Sequence, residues 1–336
     1  MLKLLSIIFL FASCAQVTSL NLTKHQFGVQ PRKIIWVQIA GFSREHVALL
    51  KYDYRKSSIQ TSFEKFLCYG STWEYNLYDI RPSYKSSFNS QVTGKSNIKN
   101  SCSDYEEKPI WDYLSEQGYK TALFQTQAAK TQVKTCSEEN EFYKNLTRWK
   151  MDRKKADDTN YFHFEKDERY KDSTLYYDKS CLTGKCFNSV SKNVVATFER
   201  FTKNSSRYLY LIQDDSYLRA LKSNNFVRAK KILKEIDQTL RYLQKYTSER
   251  KDTLLLVSGA KAYDIDFPKQ GEQWEKYITK GEFIKAKESE LVSDIMATGA
   301  RSENFCGMYN QSEILNRIFS GAKQQGLKLE FINPFN

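Results

Sequence analysis

Three short runs of this sequence are apolar at consecutive positions rather than alternate ones: Ile34-Ile-Trp-Val-Gln-Ile-Ala40, Tyr208-Leu-Tyr-Leu-Ile-Gln213 and Thr253-Leu-Leu-Leu-Val257. A strand of that kind must be covered on both faces, which a mostly parallel sheet between two layers of helices achieves. The intervening segments supply the helices. Ser43 can cap a helix through Arg44 to Leu50, and Pro109 to Gly118 has the proline-first, glycine-last signature before a strand at Lys120 to Phe124. Val190 to Phe201 reads as helical, and in Phe226 to Tyr246 the residues Phe226, Ala229, Ile232, Ile236, Leu240 and Leu243 form one apolar stripe. The predicted fold is therefore α/β, a mostly parallel central sheet with helices on both faces, whose ligands meet the carboxyl ends of the strands. The first and last of the three runs end at Gly41 and at Ser258-Gly259.

Two segments are poor in periodic signal: Gly70 to Asp104, rich in Ser, Asn and Tyr, and Glu138 to Asp178, dense in charge and aromatic residues. Both are expected to be surface excursions tethered by disulfides.

The amino-terminal run Leu4 to Phe11 follows Lys3 and is too short to span a bilayer, as in a secretory signal. Its end, Phe11-Ala12-Ser13-Cys14, resembles a bacterial lipobox, with Phe11 where leucine is usual and Cys14 as the acylated residue; cleavage after Ala15 is the alternative. The division expected is a signal peptide over 1–14, a tether over 15–30 and a single domain over 31–336, exported to the periplasm or the outer membrane. Ala15 and Gln16 lack the acidic residue that retains lipoproteins at the inner membrane, which favours the outer one. Removing Cys14 from the seven cysteines leaves an even set, Cys68, Cys102, Cys136, Cys181, Cys186 and Cys306. Cys181 and Cys186 enclose a turn-like Thr-Gly and are expected to bridge; Cys68 with Cys102 and Cys136 with Cys306 are the assumed remainder. The formal charge of +13 is spread along the chain and favours anionic surfaces, such as a glycan or lipid headgroups, or no specific ligand at all; an envelope protein is the other partner expected. Nucleic acid is not expected as a partner of an exported chain.

The strand ends bear on chemistry. Ile34 to Ala40 leads through Gly41 to His46, and Ser90-Gln-Val-Thr-Gly94 follows Ser83, Tyr84 and Ser86. Pro109-Ile-Trp-Asp-Tyr-Leu114 leads to Gly118-Tyr-Lys-Thr-Ala122, Tyr210-Leu-Ile-Gln-Asp-Asp215 precedes Ile236-Asp237, and Asp252 to Ser258 precedes Gly259-Ala-Lys261. In order and spacing this set resembles the alkaline phosphatase superfamily from about Ile34 to Lys261, with Asn304-Phe-Cys-Gly307 continuing it.

The resemblance implies the superfamily's sandwich and also names what is missing. The family's first strand ends in a metal-binding Asp, and Ala40 stands there with no donor atom. Tyr84 falls at the nucleophile's place, with Ser83 or Ser86 as alternatives after a small shift in alignment. Asp214 or Asp215 matches a metal-binding Asp, but the histidine expected four residues on is Leu218 or Arg219. The closing Asp-His-Gly is replaced by Gly259-Ala260-Lys261, and the three histidines, His25, His46 and His163, all precede Ser258. The function expected is that of a metal-free pseudoenzyme, a binding or scaffolding module at the bacterial envelope, with Lys261 either solvated or standing in as a cation for a phosphate, sulfate or carboxylate. The competing expectation is an active phosphate- or sulfate-ester hydrolase with Zn²⁺, Mg²⁺ or Ca²⁺ on rearranged ligands drawn from Asp214, Asp215, Asp264 and Asp266.

Overall fold

The computed structural model describes residues 29–53, 60–99, 101–126, 136, 138–152, 163–164, 190–268, 271–280, 282, 284–288 and 291–319. In chain order the elements are β1 (Lys33–Ala40), α1 (Val47–Asp53), β2 (Cys68–Trp73), α2 (Tyr84–Thr93), α3 (Ile110–Glu116), β3 (Lys120–Gln125), α4 (Glu138–Phe142), β4 (Thr147–Asp152) and β5 (His163–Phe164). They continue with α5 (Val190–Thr202), β6 (Tyr208–Asp214), α6 (Ser216–Lys222), α7 (Phe226–Ser248), β7 (Thr253–Ala260), β8 (Tyr263–Asp266), α8 (Gly271–Lys280), β9 (Lys285–Glu288), β10 (Val292–Gly299), β11 (Gly307–Asn310) and α9 (Ile314–Phe319).

Nine strands form one sheet in the order β11-β2-β10-β7-β1-β6-β3-β4-β5. The central five, β7, β1, β6, β3 and β4, are mutually parallel, and only β10 and β5 run against them. Alternate residues of the apolar runs feed two separate cores. Ile35, Val37, Ile39, Tyr210, Ile212, Leu255 and Val257 pack under α1, α5, α6 and α7. Ile34, Trp36, Leu209, Leu211, Leu254 and Leu256 pack under α3 and α9. The α7 stripe is buried as predicted, and Asn225 caps the helix by accepting the Arg228 N–H at 3.0 Å. Each fully buried Leu or Ile on that stripe contributes roughly 2 kcal/mol.

The poorly patterned segments depart from expectation. Gly70 to Trp73 belongs to the sheet, and Tyr84 to Thr93 is a helix buried from Ser86 onward. Its sequence hides it because its buried face is largely polar; of those groups Thr93 Oγ1 donates to the Asn89 carbonyl at 2.7 Å and Ser90 Oγ to the Lys95 carbonyl at 2.7 Å, while Ser87 Oγ is buried without a partner. Glu138–Phe142 and Thr147–Asp152 are also regular, with Trp149 buried; residues 153–178, His163 and Phe164 apart, lie outside the described set. β7 runs on through Ser258 and Gly259 to Ala260 rather than ending before them, and Asp264 to Asp266 pairs in β8 with β9.

The assumed cysteine pairing is also corrected. Cys68 bridges Cys306 and Cys102 bridges Cys136, with Cα atoms 5.2 and 5.3 Å apart. Cys68 opens β2, and Cys306 directly precedes β11, the parallel neighbour in which Gly307 pairs with Gly70. Sheet topology thus joins residues far apart in sequence, which proximity along the chain could not foretell. Cys14, Cys181 and Cys186 lie outside the described residues.

Candidate functional site

The carboxyl ends of β1, β6 and β7 lie side by side. Ile39 is level with Asp214 and Gly259, and Ala40 with Ala260, while the Gly41 N–H donates to the Ala260 carbonyl at 2.8 Å. The structure therefore brings together Ala40, Gly41, Asp214, Asp215, Gly259 and Ala260, with Tyr84 reaching them from the first turn of α2.

Asp214 is fully buried and turned onto its own helix: Oδ1 accepts from Ser216 Oγ at 2.9 Å and the Tyr217 N–H at 3.0 Å, and Oδ2 from Ser216 Oγ at 3.1 Å. Burial raises its pKa, partly offset by those donors. Asp215 Oδ2 is held by Arg219 Nη1 at 2.6 Å and accepts from the Tyr84 hydroxyl at 3.3 Å, whereas Oδ1 is buried without a partner. Burial pushes Asp215 up to about 6 against the pull of Arg219. The Tyr84 phenol is raised too, by burial and by the carboxylate it faces, so it stays protonated at neutral pH. The alternative serines serve the helix: Ser83 Oγ accepts the Ser86 N–H at 3.1 Å and lies 3.0 Å from Ser86 Oγ.

Leu218 and Gly259 decide the steric character of the site. Leu218, in the position expected of a histidine, is 1 % exposed and packs onto Gly41, where an added Cβ would lie 3.1 Å from its Cα and Cδ1. At Gly259 a Cβ would meet the Phe42 carbonyl oxygen at 2.8 Å and Ser293 Cβ at 3.0 Å, so a ligand-bearing side chain there requires backbone movement. Lys261 is not a free cation over the site; its Nζ pairs with Glu288 at 2.6 Å with the side chain 16 % exposed. That ion pair replaces the freely solvated side chain expected of it.

At or just below the strand ends runs a row of amides that the sequence did not reveal. Arg148 Nε donates to Gln125 Oε1 (3.0 Å), Gln125 Nε2 to Gln213 Oε1 (2.9 Å), Gln213 Nε2 to Gln38 Oε1 (2.8 Å), and Gln38 Nε2 to Gln91 Oε1 (3.0 Å). Gln91 Nε2 then donates to the Gly259 carbonyl at 2.8 Å, and Ser258 Oγ, itself bonded by Trp36 Nε1, donates to Gln91 Oε1. Gln38 and Gln213 are level in the sheet, as are Gln213 and Gln125, so the row follows from placing the same residue at the same height in three parallel strands. Glu74 was missed as well. It is 6 % exposed, accepts the Ala262 N–H at 3.0 and 3.3 Å, and burial pushes it up to about 7 despite the donors around it.

No protein-family model and no curated protein matches the sequence. Solved structures do. The alkaline phosphatase of the Antarctic bacterium TAB5 superposes with a TM-score of 0.62 at 11 % identity, over 86 % of this chain and 97 % of its own. That of Thermus thermophilus gives 0.62 at 12 %, over 91 % and 94 %, and the cold-active enzyme of a Shewanella species 0.60 at 10 %, over 86 % and 99 %. The chain has the alkaline phosphatase fold. At such identities the likeness establishes architecture, and the chemistry must be argued from the site.

An alkaline phosphatase fold implies divalent metals at these strand ends, so the donor set must be tested against them. Zinc requires three or four protein donors, and calcium or magnesium several oxygens. Here Asp214 is turned onto Ser216 and the Tyr217 N–H and Asp215 is tied to Arg219, with Asp215 Oδ1 unpartnered. Among the described residues the one cluster of three metal-binding side chains is Cys102, Cys136 and Glu138, whose cysteines are joined to each other. Asp264 and Asp266 join no such group with Asp214 and Asp215. His46, the one histidine near β1 among the described residues, is a core residue: Nδ1 lies 3.0 Å from Tyr217 Oη and 3.3 Å from the Ser43 nitrogen, and burial lowers it to about 3. The residues present do not fit a metal centre.

Proposed function

We propose that this chain is a pseudoenzyme on the alkaline phosphatase fold, exported and lipid-anchored through Cys14, that works as a metal-free binding or scaffolding module at the bacterial envelope. The observation that carries the proposal is the steric closure of the ligand positions. Leu218 occupies the space above Gly41, and Gly259 has the Phe42 carbonyl where a side chain would begin. The packing of Leu218 and the hydrogen-bonded amide row support that reading over the simple loss of a catalytic side chain. Without metals the fold has neither Lewis-acid stabilisation nor an activated nucleophile, which together account for many powers of ten in rate. Two disulfides in the described residues support an oxidising compartment, and the signal-like Leu4 to Phe11 run supports export. The net charge of +13 supports an anionic partner, a glycan or lipid headgroups, and the exported reading disfavours nucleic acid.

The test is turnover of a phosphomonoester, a phosphodiester and a sulfate ester after loading the disulfide-intact protein with Zn²⁺, Mg²⁺ or Ca²⁺. The proposal expects rates equal to those of buffer with the same metal. Turnover that disappears in Asp215→Asn would instead establish a hydrolase with a rearranged site.

A further inference from the structure

At the opposite, amino-terminal end of the sheet lies a cavity of about 610 Å³ lined by Lys65, Arg241, Lys245, Arg250 and Lys251 and by no acidic residue. Arg241 and Arg250 are paired with Asp237 and Glu249, but Lys65, Lys245 and Lys251 make no ion pair among the described residues and are exposed. Part of this charge complements the carboxyl end of α7, which closes at Ser248. Lys65 comes from a separate turn before β2, so the helix alone does not account for the cluster.

Two further observations orient this end. Arg32, Lys120, Arg207 and Lys251 stand at or just before the first residues of β1, β3, β6 and β7, so four parallel strands start from cations on one face. The chain also enters the domain here: the Arg32 and Lys33 N–H groups both donate to the Asp252 carbonyl, next to Lys251, and Lys33 Nζ pairs with the Asp252 carboxylate at 3.0 Å. A segment arriving from an acylated Cys14 therefore meets the domain beside the cavity.

From this we infer that the cavity is a headgroup site, taking the phosphate of an anionic lipid while the basic end of the sheet faces the bilayer. Its orientation rests on the lipid-anchored reading above. An acyl chain gives only marginal attachment by itself, and a polybasic surface is the common second contribution.

Flotation of the disulfide-intact protein with phosphatidylglycerol and with phosphatidylcholine vesicles tests the site. Each cation near an anionic surface is worth about fivefold in partition, so the three lysines contribute about 100-fold. We expect K65Q/K245Q/K251Q to lower the phosphatidylglycerol preference by about that factor and 0.5 M salt to erase most of it. The equal-charge control K99Q/K222Q/K285Q should leave most of the preference in place. Equal partition of the wild type onto both vesicles, or an equal loss in the control, would overturn the site. So would saturable binding of glycerol phosphate that anionic vesicles fail to displace, since it would assign the cavity to a soluble anion. An acyl anchor adds equally to both vesicles, so its own failure shows as loss of phosphatidylcholine binding and leaves the ratio unchanged.

Discussion

Replacing Glu74 by glutamine should remove one source of the stability loss that accompanies a rise in pH through neutrality. Glu74 lies just past β2, 6 % exposed, with its carboxylate on the Ala262 N–H. Burial raises it from 4.5 to about 7, and at about 1.4 kcal/mol per pH unit this amounts to roughly 3 kcal/mol. Below pH 4.5 the carboxyl is neutral in both the folded and the unfolded chain. As pH rises toward 7 the unfolded chain ionises first, so the folded state binds the extra proton and stability falls. The glutamine of Glu74→Gln keeps a carbonyl oxygen for Ala262 and cannot ionise. Urea unfolding of the disulfide-intact protein at pH 4.5 and pH 8.5 should therefore show the variant gaining roughly 3 kcal/mol relative to wild type between the two. A stability difference independent of pH would refute the argument, because it would mean that the buried carboxyl titrates alike in both states.

The other predictions concern the closed site and its histidine. Leu218→Ala should cost about 2–5 kcal/mol in chemical denaturation, as truncation of a fully buried leucine does. Gly259→Ala should cost about 1–3 kcal/mol, since its Cβ must displace the Phe42 carbonyl; an unchanged melting temperature would show that the strand end is pliable. His46, lowered to about 3, is neutral when folded, so its contribution is complete above pH 6.5 and is lost as pH falls toward 3. The acid limb of the stability curve should flatten by up to about 5 kcal/mol in His46→Gln, measured from pH 6.5 down to pH 3.

The sheet was legible because consecutive apolar residues at Ile34, Tyr208 and Thr253 admit few other solutions. The site was legible where a strand end could be aligned: Ala40, Gly41, Asp214, Asp215, Gly259 and Ala260 do converge. What the sequence concealed were features set by tertiary context. Helix α2 has a polar buried face, so its periodicity carries no hydrophobic signal, although Ser83 and Gly94 mark its ends. The bridge from Cys68 to Cys306 depends on β2 and β11 being neighbours. Lys261 looked like a solvated or ligand-holding cation until the β8–β9 hairpin placed Glu288 beside it. The amide row did leave a trace, in that Gln38, Gln125 and Gln213 each fall at or near a strand's end, but recognising it requires knowing that those strands are adjacent and in register.

The central claim is that the strand ends hold no metal, and elemental mass spectrometry on protein purified without chelator, then dialysed against Zn²⁺, Mg²⁺ and Ca²⁺ in turn, tests it most directly. The account predicts less than a tenth of a metal ion per chain in every case, with the same trace in Asp214→Asn and Asp215→Asn. One or two ions per chain that vanish in either variant would contradict it and return the site to metal-dependent chemistry.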